Sequence, residues 1–504
     1  MIRFRLLPFI LALLFFAACG DTQKTPVSAA LPQTSEAVDD EPLILFGQSV
    51  SHSADHITVQ MPVDSFAEAD EALPLLKNLT AIDVVFPSGW TDDPQGFLSY
   101  LAFRDAHPNL LFSERYPNGN APDDITDLTL SQPVERLDEF LAALPSLKTL
   151  TLQSFSREAI AGISKAYPSV RVLWTDDIFG ESDSTEQNLT VTGSPDPDAL
   201  RAYLDCFCAL KTVDLRGAQL SEADGNALCD AFSDVALLRT VTLNGVPTDT
   251  GITELNLDRA EIDSYEAFAD SLRCFPFLTH LEMNDCSLSN EQLAALRDRY
   301  PEKGIVWTIH IRKYEIRTDS VAFSSKCPGG NTNRMSSKEV DPLRYCTELI
   351  ALDLGHNNIT DLDFLRPLSN LQVLMLADSR KLSDISVIGT LTKLKYVELF
   401  MTDVSDISPL SNLPDLCDVN LCVTKTADVS PLLACKKLER VWIGMQTTAF
   451  TTKESIQKLL DAFPNAMIEL DTVSCTGHEW REHPRFDAYM EMFETNRPVA
   501  PFLP

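Results

Sequence analysis

Five copies of one phrase, set 22 or 23 residues apart, constrain this chain more than any other feature. The first copy runs from Leu349 to Asn357, and its opening leucine returns at Leu371, Leu394, Leu416 and Leu438. Each copy carries a paired apolar step: Leu352/Leu354, Leu374/Leu376, Val397/Leu399, Val419/Leu421 and Val441/Ile443. Three copies continue as Asp384-Ile385-Ser386, Asp406-Ile407-Ser408 and Asp428-Val429-Ser430, the last two with Pro409 and Pro431 next. Apolar residues at alternate positions call for a strand with one buried face. One short strand cannot bury that face alone, so the copies must stack into a parallel sheet over a continuous core.

A period near 22 with the pattern L-x-x-L-x-L-x-x-N is that of a leucine-rich repeat, and this block resembles the short, internalin-like class. The resemblance implies an α/β solenoid, a curved horseshoe with its parallel sheet on the concave face and helices and turns on the convex face. In such repeats the asparagine turns inward and bonds the backbone of neighbouring loops. Only Asn357 keeps it; Ser379, Thr402 and Thr424 stand in its place, with hydroxyls able to do part of the work. The Asp-Ile-Ser-Pro segments are expected to make the return turn, proline fixing a dihedral and aspartate bonding local backbone.

Residues 56–311 repeat more loosely and with longer units. Leu210 to Leu215 and Leu238 to Leu243 are 28 residues apart, and Ser221 to Phe232 between them reads as a helix. A strand–helix unit of this length resembles the ribonuclease-inhibitor-like class of leucine-rich repeats. The expected organisation is longer repeats at 43–311, an inter-array loop at 312–342, short repeats at 343–444 and a C-terminal cap at 445–504. Within that cap, Asp487 to Glu494 reads as a short amphipathic helix before Pro498.

The N-terminus sets the expected location. Arg3 and Arg5 precede an apolar run from Leu6 to Ala18, the pattern of a signal peptide over residues 1–18. Phe16-Ala17-Ala18-Cys19 resembles a bacterial lipobox, which implies lipid on Cys19 and an extracytoplasmic protein held to the cell membrane. Residues 19–42, rich in Thr, Ser, Ala, Pro and acid, read as a disordered tether. A formal net charge of −32 argues against nucleic acid or anionic lipid as a direct partner. With Cys19 lipidated, the 12 cysteines leave an odd number, most expected as buried free thiols, with Cys327 and Cys346 the pair most suited to a disulfide.

Little points to catalysis. The stretch Cys475 to His483 holds His478-Glu479, but the second histidine falls at i+5, off the helix face a zinc protease needs. His52 and His56 read as a solvated pair. No nucleophile elbow and no phosphate-binding glycine loop occur, so the chain is expected not to be an enzyme and to need no cofactor. Binding is better supported. Residues between the repeat leucines face away from the core, and in the short repeats they include Met375, Tyr396, Glu398, Phe400, Asn420, Arg440 and Trp442. Large apolar and charged residues in such places mark a surface for a protein or glycan ligand. The alternative is that the 312–342 loop or the tail folds over them and makes them core. Functionally the expectation is a cell-surface binding module; a scaffold subunit of an envelope complex and, from location alone, a cell-envelope hydrolase are the other readings.

Overall fold

The computed structural model describes residues 42–63, 66–116, 120–325, 334–444, 450–477 and 480–500. The expected signal peptide, Cys19 and nearly all of the tether lie outside the described residues. The chain forms two compact units that divide between Leu150 and Thr151.

In the first unit His56–Gln60, Ala81–Val85 and Leu111–Arg115 make a parallel three-stranded sheet. Helix Pro94–Ala106 connects the last two, opened by Asp93, whose carboxylate accepts from Gly96 N–H at 3.0 Å. Phe97 and Tyr100 of this helix pack edge-on against Phe86. Leu43–Leu45 and Gln48–Val50 form an antiparallel hairpin. His56 is solvent-exposed, as expected, and its Nε2 lies 3.1 Å from Asp83, which also receives Arg115 at 2.6 Å.

The second unit opens with the longer repeats. Asn188–Gly193, Thr212–Ala218 and Ala236–Leu238 form one parallel sheet, and Glu254–Asn256, His280–Glu282 and Ile305–Val306 another. Helices between strands turn one face inward, with Leu228 buried in Glu222–Ala231 and Leu293 and Leu296 buried in Asn290–Arg299. Ser221 and Ser289 cap them by accepting the third N–H. The 28-residue match would place Thr212 beside Thr240, yet Thr212 pairs with Ala236. Thr240–Leu243 instead doubles back on Val246–Asp249. The cause is Asn244-Gly245: both φ angles are positive, 50° and 77°, as a two-residue hairpin of matching twist requires. A local turn signal overrides the repeat.

The 312–342 segment is more than a loop. Tyr314–Arg317 pairs antiparallel with Thr308–Ile311, and Ala322–Ser324 becomes the first strand of the next sheet. Ser336 and Glu339 close a capping box on the short helix Ser337–Val340.

The short repeats build seven parallel strands in chain order: Ala322–Ser324, Ala351–Asp353, Val373–Met375, Tyr396–Glu398, Asp418–Asn420, Arg440–Trp442 and Met467–Glu469. The repeat leucines are in register and buried, Leu349, Leu371, Leu394 and Leu416 along one row. After four of these strands the chain turns through a left-handed residue at the same repeat position: His356, Asp378, Met401 and Val423, with φ of 56–62°. Asn357 ties three loops together. Its Nδ2 donates to Ser325 Oγ at 2.8 Å and Leu354 O at 2.9 Å, and its Oδ1 accepts from Met335 N–H at 2.8 Å. Thr402 and Thr424 reproduce one of these bonds, donating to Leu399 O and Leu421 O at 2.7 Å each. Ser379 Oγ is buried and has no hydrogen-bond partner among the described residues. In the return turns Asp384, Asp406 and Asp428 accept the N–H two residues on, at 2.8, 2.8 and 2.9 Å.

This arrangement predicts unequal costs at equivalent repeat positions. Asn357→Ala should lose about 3 kcal/mol, because it strands several buried backbone and hydroxyl groups at once. Thr402→Val should lose only about 1 kcal/mol. Urea denaturation of the two variants measures both; equal losses would contradict the bonding described.

Candidate functional site

Along each strand of the short repeats, residues alternate between the leucine core and the opposite face. The seven residues expected on an open ligand surface do lie together there. They are not open: Met375, Tyr396, Glu398, Phe400, Asn420, Arg440 and Trp442 are between 0 % and 4 % exposed. The cover is the chain's own C-terminal segment, from Cys475 through the helix Pro484–Thr495. The expectation of a solvent-facing patch is therefore corrected in favour of its alternative, the tail folded over the cluster.

The cover is held by rings and by charges. Trp480 stacks on Tyr396 with ring centroids 5.2 Å apart and packs on Trp442 at 5.0 Å; Tyr489 meets Tyr396 edge-on at 4.5 Å. Two carboxylates on the strands are fully buried, Glu398 and Asp418. Glu398 accepts from Tyr396 O–H at 2.5 Å, from Trp480 Nε1–H at 2.7 Å and from Arg481 at 2.8 Å. Asp418 takes a bidentate pair from Arg440 of the neighbouring strand, at 2.9 and 2.8 Å, and a third bond from Arg485 at 2.8 Å. Arg440 also donates to Trp480 O at 3.0 Å, with its guanidinium 4.8 Å from the Trp480 ring centre. Asn420 donates to Cys475 O at 2.7 Å. At the far end Asn496, in the left-handed conformation that closes the terminal helix, accepts from Val321 and Ala322 N–H at 2.9 and 3.1 Å. The helix is thus pinned from the Asp418 strand to the Ala322 strand.

Burial sets the protonation chemistry. It pushes the Tyr396 hydroxyl well above its ordinary value, reinforced by the adjacent Glu398. Burial, and then the Arg440 and Arg485 charges, pull the His483 imidazole below its ordinary value. His483 caps the terminal helix, its Nδ1 accepting from Arg485 N–H at 3.2 Å, which only an imidazole unprotonated at Nδ1 can do.

Sequence reasoning missed Trp480, Arg481, Arg485, Tyr489 and Asn496 as partners of the strand face. The available signal was the clustering of the aromatic residues Trp480, Phe486, Tyr489 and Phe493, with Arg481 and Arg485 among them. Of the zinc-protease-like stretch, His478 and Glu479 lie outside the described residues, and His483 serves as the helix cap. No group of three metal-binding side chains occurs among the described residues. All ten described cysteines are free thiols, Cys346 included; Cys327 lies outside the described residues.

Residues 347–391 match the family model for leucine-rich repeats, in two copies, so this part of the chain is a leucine-rich-repeat segment. No curated protein matches the chain. Among solved structures, an internalin (InlF) of Listeria monocytogenes is 13 % identical, with 63 % of this chain and 88 % of that chain covered and a TM-score of 0.24. An internalin C2 of the same species is 19 % identical over 31 % of this chain and 76 % of its own, with a TM-score of 0.22. Likenesses at these TM-scores carry no weight for function. Among the described residues no helix is long and apolar enough to cross a membrane.

Two outcomes follow from the covered face. Tyr396→Ala combined with Trp442→Ala should cost about 5 kcal/mol or more, as fully buried rings do when truncated; an unchanged urea midpoint would contradict burial. Acidification should loosen the cover. The folded state depresses the His483 pKa, so the stability it contributes is present above the unfolded-state value of about 6.5 and is lost as pH falls from there through the lower folded-state value. Limited proteolysis should cut between 475 and 500 faster at mildly acid than at neutral pH, and His483→Asn, a cap that does not titrate, should remove the difference.

Proposed function

We propose that this chain is a non-catalytic protein-binding module, held outside the cytoplasmic membrane by lipid on Cys19. We further propose that its ligand meets the open strand face of the longer repeats, while the short repeats form a curved solenoid closed by their own tail. The observation that supports this is the contrast between the two faces. The face of the short repeats is filled by an intramolecular occupant; that of the longer repeats is polar and half-exposed.

On that open face side chains bond across strands in a row. Asn256 donates to Glu282 at 3.2 Å, and Arg317 bridges Glu282 at 2.9 Å and Asp319 at 3.0 Å. On the preceding sheet Arg216 pairs with Asp214 at 2.6 Å and Asp249 at 3.3 Å. Each arginine is thus committed to two carboxylates, which leaves the face net acidic. Together with a formal net charge of −32, that favours a partner with a basic surface. Such a partner would be steered by charge and lose affinity as salt rises.

The test is capture of extracytoplasmic proteins on immobilised mature chain, beside a variant carrying Asp214→Lys and Glu282→Lys. The expected result is a protein bound by the wild type, released by salt and lost in the charge-reversed variant. The variant's unfolding midpoint should move little, since both residues are partly exposed. A partner retained by the variant would remove the longer-repeat face from the account.

A further inference from the structure

Met467–Glu469 is the last strand of the seven-stranded sheet and pairs on one side only. Met467 N–H donates inward to Glu439 O at 2.7 Å, and Glu469 O accepts from Ile443 N–H at 2.9 Å. Alternation along the strand then turns the N–H and C=O of Ile468 outward. Neither has a hydrogen-bond partner among the described residues. The opposite edge of the sheet is treated differently: there Asn496 Oδ1 accepts from Val321 and Ala322 N–H at 2.9 and 3.1 Å. The tail serves that edge and the strand face and, among the described residues, leaves this edge unpaired.

The core is open at the same place. The strands from Val373–Met375 to Arg440–Trp442 are buried at every position, and Met467–Glu469 at none. Ile456, Phe463, Ile468 and Leu470 pack on the leucine core but are only partly buried. Phe450, Met467 and Val473 are 55 %, 43 % and 84 % exposed, whereas no large apolar side chain is exposed between Leu349 and Trp442. The end of a solenoid must be covered, by a polar cap or by a partner. Free strand edges are commonly blunted with lysine or proline. Asn465 to Asp471 contains neither.

The edge is complementary to itself. In an antiparallel pair, two opposed residues can exchange both backbone bonds, so Ile468 can pair with Ile468 of a second copy across a two-fold axis. In that register Met467 faces Glu469, Ala466 faces Leu470 and Asn465 faces Asp471, and no acid opposes an acid. Centring the pair on Leu470 would set Glu469 against Asp471 on both sides of the axis. Centring it on Ala466 fails for lack of donors: Ala466 N–H already donates to Phe463 O at 3.1 Å, and Pro464 has no N–H. We propose that Met467–Glu469 is the interface of a symmetric dimer, pairing antiparallel with the same strand of a second copy about Ile468. The two sheets become one continuous sheet, and the open ends of the two cores close on each other. The acidity of the whole chain opposes the approach of two copies, and salt screens that repulsion.

Sedimentation velocity on the full chain over a concentration series tests this. The expected result is a monomer–dimer equilibrium that tightens as salt rises, the reverse of the salt dependence expected for a ligand on the acidic face. Met467→Glu sets a carboxylate against Glu469 of the second copy on both sides of the axis and should weaken the dimer about tenfold. Adding Glu469→Lys turns each clash into an ion pair and should restore it. Ile468→Pro removes the outward N–H while sparing the inward bonds of Met467 and Glu469, and should abolish dimers. Urea denaturation checks that each variant is folded. A monomer at every concentration would leave the edge to a different chain and overturn the proposal. So would a dimer unchanged in folded Met467→Glu or Ile468→Pro protein.

Discussion

Two buried carboxylates govern the second half of this molecule. Glu398 and Asp418 sit on adjacent strands of the short repeats with no access to water. A carboxylate in that position is costly unless it is paired and its remaining lone pairs are filled. The strands alone do this only in part, through Arg440 and Tyr396. The rest comes from the last thirty residues: Trp480 and Arg481 complete Glu398, and Arg485 completes Asp418. The aromatic contacts then follow from position, because a segment anchored at both carboxylates lays Trp480 and Tyr489 on Tyr396 and Trp442. The charges select which segment covers which strands.

The repeat supplies the ruler for this arrangement. Strands in strict parallel register place Tyr396, Asp418 and Arg440 side by side in one row, and Glu398, Asn420 and Trp442 in the next. A helix crossing the strands can meet both rows. The left-handed turn after four of the strands, which falls even on Val423, a β-branched residue poorly suited to it, keeps that spacing constant from copy to copy. Where the register is not imposed, as at Asn244-Gly245, the chain leaves the ladder and forms a hairpin.

The short repeats were legible because their period is strict and their apolar steps are local. The return turns were legible for the same reason: the aspartate and the N–H it binds are two residues apart. The longer repeats were legible as strand–helix alternation but not in register. The Leu238 to Leu243 match reads as one more rung, although Asn244-Gly245 follows it directly. Strand-facing residues were identified correctly as a cluster, but not their state. Glu398 and Trp480 are 82 residues apart, and no local pattern links them. Large apolar side chains on a strand face read the same whether the cover is a ligand or the chain itself.

Whether the C-terminal segment lies over the strands is tested most directly by hydrogen–deuterium exchange on the full chain. The amides of the helix Pro484–Thr495 should exchange as slowly as those of the strands Tyr396–Glu398 and Asp418–Asn420, because all are released by the same opening. Rapid exchange of the helix with the strands still protected would show that the segment does not cover them, and would contradict the central claim.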